Sequence, residues 1–143
     1  MVLWYKTISI MLNEALLDLI VILHLIFVLF VVVTPFVGNN YFLILHAISV
    51  PFMMAHWYMN DNNCALTLME KKVREAINGE EPDPNDCFTY NLIAPVYDFK
   101  KNHQQYSTFI YLVTISMWFV SLYRLYGNWR DGKLQRLEHI VMY

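Results

Sequence analysis

From Leu19 to Asn60 the chain carries no Asp, Glu, Lys or Arg, and three histidines, His24, His46 and His56, stand in a largely apolar run. A Pro-Phe-Val-Gly-Asn-Asn break, Pro35 to Asn40, interrupts that run near its middle. An α-helix rises about 1.5 Å per residue, so roughly 20 apolar residues cross a hydrocarbon core of about 30 Å. The pattern predicts two membrane helices, over about 16–34 and 41–59, joined by a turn at Gly38-Asn39-Asn40. The first is expected to stop at Thr34-Pro35, because the residue before a proline resists the helical region. Pro51 falls inside the second and removes a backbone hydrogen bond, which predicts a kink between Ala47 and Pro51. A second charge-free run, from Asn102 to Tyr123, predicts a third span over about 106–126, closed by Gly127.

The region between the second and third spans, about 60–105, alternates differently. Leu66, Met69, Val73, Ala76 and Ile77 recur at helical spacing, with Lys71, Lys72, Arg74 and Glu75 on the other face. Thr67-Leu-Met-Glu70 has the form of a capping box, and Gly79 is a natural helix stop. This predicts an amphipathic helix lying on the membrane surface or against the bundle. Glu80 to Asn85 reads as a solvated linker, and Cys87 to Phe99, split by Pro95, as a packed or re-entrant segment too short to cross. The tail, about 127–143, sets Leu134, Leu137, His139, Ile140 and Val141 among Arg130, Lys133 and Arg136. At the other end, Trp4, Tyr5 and Lys6 precede the first apolar run without a small-residue cleavage site, so the run is expected to stay in the mature protein. The fold class expected is therefore all-α: an integral membrane helical bundle of three spans plus one amphipathic loop helix, forming a single membrane domain.

Composition agrees. Of 143 residues, 57% are hydrophobic and 15% charged, against a usual charged share of about 25%. Aromatics reach 16% and crowd the ends of the apolar runs, as interfacial belts do. A net charge of -2 gives no basis for nucleic-acid binding, and the bilayer is the first partner expected. Lys6, Lys71, Lys72, Arg74, Lys100 and Lys101 fall on one side of a three-span topology, and Arg124, Arg130, Lys133 and Arg136 on the other. The small excess leans the large loop toward the cytosol.

The candidate chemistry is sparse. Two imidazoles on neighbouring helices can ligate a haem iron. Measured from the turn by helical rise, however, His24 lies roughly 16 Å deep, His46 roughly 8 Å and His56 roughly 22 Å, so no pair is level. The plainer expectation is that each histidine bonds a carbonyl or hydroxyl of a neighbouring helix, or sits near an interface. Cys64 and Cys87 could close a loop of about 24 residues, worth on the order of 3 kcal/mol, but only in an oxidising compartment, against a cytosolic loop. His56, Cys64, Cys87 and His103 match no compact zinc spacing. No nucleophile signature appears around Cys64 or the serines, and Asp98, His103 and Ser107 read as a membrane-entry cluster. No catalytic residue, metal or cofactor is expected.

One stretch carries a resemblance. His56-Trp57, Asn60, Cys64-Ala-Leu66-Thr67, Glu70 and Arg74 follow a span that holds His46. The pattern resembles small uncharacterised polytopic membrane proteins of large DNA viruses. It is similar, more distantly, to a bacterial membrane family of unknown function with a histidine in each of two spans before a Cys-Pro-Leu-Thr-x-x-Glu helix start. His24 and His46 take the place of those span histidines, and Ala65 stands where that family has proline. The resemblance covers roughly residues 16–78. It implies a structural or interaction role, as a component of a virion internal membrane associated with a capsid or with other membrane proteins. The other class considered is a small membrane redox or ligand-binding protein using His24, His46, His56 and Cys64.

Overall fold

The structure, a computed structural model, describes residues 2–83, 87–95 and 103–134, with side chains from residue 11 onward and from 105 in the last segment. It is all-α among these residues: α1 (Val2–Val37), α2 (Asn40–Met59), α3 (Ala65–Asn78), α4 (Phe88–Ile93) and α5 (His103–Arg130). Three stretches, Met11–Val37, Asn40–Met59 and Gln105–Arg130, are long and apolar enough to cross a membrane. They coincide with the three expected spans and extend each at one or both ends. The aromatic start of the chain, His103, Asp98 and the tail residues Arg136, Leu137, His139, Ile140 and Val141 lie outside the described side chains.

The chain divides into two compact units. The first comprises Met1–Ile26 and Asn63–His103, the second Phe27–Asn62 and Gln104–Tyr143. In the first, the early part of α1 meets α3 and α4. Ile20, Cys87 and Tyr90 are buried there beside the polar His24, Thr67 and Glu70. In the second, the later part of α1 packs with α2 and α5. Val31, Leu43, Val50 and Trp57 are buried together with Thr34, Asn40, His46, Thr114 and Ser121. Polar residues in such cores are expected of membrane helices, because lipid offers no hydrophobic drive for helices to associate and hydrogen bonds supply part of it. The outward faces are apolar: Ile22, Ile26, Phe52, Leu112 and Phe119 are each more than half exposed.

One boundary differs from the sequence expectation. Helix α1 does not stop at Thr34-Pro35 but runs to Val37, whereas α2 runs through Pro51 over the expected span. The physical reason lies in the neighbouring helices and is given below. Between α1 and α2 the turn is as expected. Gly38 N–H donates to Thr34 O at 2.9 Å, and Asn39 caps α2 by accepting from Phe42 N–H at 3.1 Å. A Cβ on Gly38 would come within 2.7 Å of Thr34 O and 2.9 Å of its Cγ2, so only glycine fits this corner.

The amphipathic helix starts earlier than the capping-box pattern suggested. Its N-cap is Cys64, and Leu68 N–H donates to Cys64 O at 3.0 Å. Thr67 is therefore inside the first turn and buried, and Glu70 faces the protein interior instead of folding back on the helix start. The stop at Gly79 is as expected, with φ 76° and its N–H on Glu75 O at 2.8 Å. Cys64 and Cys87 are both thiols, each standing before the first turn of a different helix, so the disulfide considered from the sequence is not formed in this structure. The tie between α3 and the start of α4 is made by the Glu70 carboxylate.

Candidate functional site

In the second unit the organising feature is the two span prolines. A proline has no N–H, so the carbonyl four residues earlier loses its helical partner. For Pro35 that carbonyl is Val31 O, and for Pro51 it is Ala47 O. Each is taken by a side chain of another helix. His46 Nε2 lies 3.0 Å from Val31 O, and Trp118 Nε1 donates to Ala47 O at 2.9 Å. This is why both helices continue through their prolines.

A carbonyl only accepts, so His46 carries its proton on Nε2. In the neutral ring Nδ1 then accepts, and the Ser121 hydroxyl lies 3.0 Å from it. His46 is fully buried, and its ring tilts against Phe30 with centroids 5.6 Å apart. Both ring nitrogens are thus engaged within the protein. Near the same end of α1, Arg124 Nη1 donates to Pro35 O at 2.9 Å, a cation placed where helix carbonyls need donors. Asn40, fully buried, donates to Lys133 O at 3.1 Å and accepts from Asn128 Nδ2 at 2.6 Å.

The exit of α2 behaves as a cap. Asn60 Nδ2 donates to His56 O at 2.8 Å and lies 3.2 Å from His56 Nδ1. His56 is exposed, whereas Trp57 is buried and packs edge-on against Tyr111, with ring centroids 5.6 Å apart. Asp61 and Asn62 take left-handed backbone, and Tyr111 Oη donates to Asn62 Oδ1 at 3.1 Å.

In the first unit the centre is Glu70, with no exposed surface. Its Oε1 accepts from Arg74 Nη2 at 2.9 Å and Nε at 3.1 Å, one turn along α3. Both carboxylate oxygens also receive Phe88 N–H, at 3.0 and 3.1 Å. That donor is one of the unsatisfied amides at the start of α4, so the carboxylate closes a helix end. A buried carboxylate without such partners would be prohibitively costly. His24 stands beside it, with Nδ1 at 3.9 Å from Glu70 Oε2 and Nε2 at 2.9 Å from Thr89 Oγ1. The Phe88 ring lies 5.5 Å away, centroid to centroid.

Of the residues singled out from sequence, the structure gathers His24, Glu70 and Arg74 into one cluster, with Thr67 buried in the same unit and Cys64 at the helix start. His46, His56, Trp57 and Asn60 fall in the other unit. Among the described residues no three His, Cys, Asp or Glu side chains group as a metal site. The sequence reading missed Thr89, Ser121, Trp118 and Asn40. The orphaned carbonyls of Val31 and Ala47 could have been named from the two prolines, but nothing local announces their partners.

Residues 14–123 match a family described as Protein of Unknown function (DUF2784). The chain belongs to this family. The match to DUF2784 takes in the whole His24–Glu70–Arg74–Thr89 cluster, both prolines, His46, Trp118 and Ser121, and ends before Arg124, Asn128 and Lys133. A family of unknown function is the coarse form of the resemblance carried by the exit motif, and the DUF2784 match says nothing of viruses or capsids. No curated protein and no solved structure is significantly similar to the chain.

Proposed function

We propose that the protein is a multi-pass membrane component with a structural or interaction role, whose polar groups in the second unit serve to hold its own helices together. The observation that carries this reading is His46: its Nε2 on Val31 O and its Nδ1 on Ser121 Oγ leave neither ring nitrogen for a haem iron or a metal. Trp118 on Ala47 O and Arg124 on Pro35 O support the same reading. The apolar outward faces suit lipid and the helices of other membrane proteins. The narrower form, a component of a virion internal membrane bound to a capsid, rests on the resemblance of the exit motif alone.

The test is extraction of the full chain from its native membrane into lipid nanodiscs, followed by an absorption spectrum, metal analysis and subunit stoichiometry. The expected result is a fixed stoichiometry with a second protein and no Soret band. A haem or metal bound in stoichiometric amount and lost in His46→Ala would overturn the reading in favour of redox or ligand binding. Absence of the protein from purified particles would remove the virion form and leave the broader role standing.

A further inference from the structure

Thr89, His24 and Glu70 stand in the order hydroxyl, imidazole, carboxylate. Thr89 Oγ1 is 2.9 Å from His24 Nε2, and His24 Nδ1 faces Glu70 Oε2 at 3.9 Å. His24 differs from His46 in one respect. It is only 3% exposed, yet its Nδ1 has no hydrogen-bond partner among the described residues. The carboxylate is also uneven: Oε1 accepts from Arg74 Nε, Arg74 Nη2 and Phe88 N–H, while Oε2 receives only Phe88 N–H among the bonds described. The two atoms with hydrogen-bonding capacity to spare therefore face each other, across a distance too long for a direct bond.

The charges around the ring fix its tautomer. Glu70 faces it from α3 through Oε2, while Arg74 pairs with Oε1. Helix α4 brings no charge, Tyr90 being its one ionisable residue, and α1 has no charged residue after Asp18. The negative Oε2 favours a proton on Nδ1, so Nε2 is the acceptor and the Thr89 hydroxyl donates to it. This is the opposite tautomer to that of His46.

We infer that Thr89, His24 and Glu70 form a buried proton-binding relay, with one water bridging His24 Nδ1 and Glu70 Oε2. A proton reaching Thr89 Oγ1 is matched by the hydroxyl's own proton leaving for Nε2. The ring, now protonated on both nitrogens, is held as a cation against the Glu70 carboxylate through the water. The net change is one proton gained by the ring, with Glu70 still ionised and the hydroxyl restored. Arg74 stays a fixed counter-charge. His24 lies in the first candidate span, where ionisable side chains commonly serve proton relays, and this site is independent of the scaffold role proposed above.

The relay is tested by 15N-histidine NMR of the full chain in lipid nanodiscs, with His24 assigned through His24→Gln. The wild-type protein should show His24 protonated on Nδ1, in exchange with water, and His46 protonated on Nε2. In Glu70→Gln the His24 Nδ1–H signal should be lost in favour of Nε2–H while His46 is unchanged. A wild-type His24 protonated on Nε2, or a Nδ1–H signal that persists in Glu70→Gln, overturns the relay. If the His46 signal shows that Glu70→Gln has not folded, Thr89→Val decides. Slower exchange of the Nδ1 proton with water supports the relay, and unchanged exchange overturns it.

Discussion

At Val31 an imidazole does what Pro35 prevents a backbone amide from doing. Removing it strands a buried carbonyl and the Ser121 hydroxyl together, and stranded buried polar groups cost about 1–3 kcal/mol. His46→Ala should lower stability by that amount in reversible unfolding in mild detergent. His46→Gln, whose amide can both donate and accept, should recover part of the loss. Glu70 is engaged more heavily, by Arg74 and by Phe88 N–H. Its replacement by Ala leaves a helix-end amide and a guanidinium without their acceptor, and breaking a buried pair of this kind costs about 3–5 kcal/mol. Because the Arg74 side chain is 25% exposed, and so can recruit water, the lower end of that range is expected in the same unfolding assay.

At the scale of elements, the prolines interrupt the ladder and side chains restore it. Pro51→Ala returns an N–H to residue 51 that can bond Ala47 O within α2, so the Trp118 indole becomes redundant there. Trp118→Phe should then cost less in the Pro51→Ala background than in the wild type, with a coupling of about 0.5–1 kcal/mol in a double-mutant cycle. Gly38→Ala meets backbone, not a yielding side chain, and should cost about 1–3 kcal/mol, read as a lower unfolding midpoint. Much of the element pattern was legible because charge-free runs of span length, the Gly38-Asn39-Asn40 turn and the Gly79 stop are local signals. The start of α3 was not. Thr67 and Glu70 have the spacing of a cap, but the true acceptor role of Glu70 is to Phe88, 18 residues further on, and Thr89 meets His24 across 65. Partners so far apart leave no mark in a local pattern.

For the whole molecule, three helices long and apolar enough to cross a membrane, with apolar exposed faces, fit a membrane protein. Leu112 is 60% exposed on α5, and Leu112→Arg should oppose insertion of that helix by about 2.5–3.5 kcal/mol, measurable by glycosylation mapping of the inserted fraction. The expectation that a span histidine bonds a carbonyl or hydroxyl of a neighbouring helix is met by His46, and what sequence could not disclose was which carbonyl and which hydroxyl. The account turns on that carbonyl, Val31 O. The most direct test is a double-mutant cycle of His46→Ala and Pro35→Ala, read by reversible unfolding of the full chain in a bilayer mimetic. Pro35→Ala supplies the missing N–H to Val31 O, so the account predicts that His46→Ala becomes less costly, with a coupling of about 0.5–1.5 kcal/mol. Strictly additive effects would contradict it.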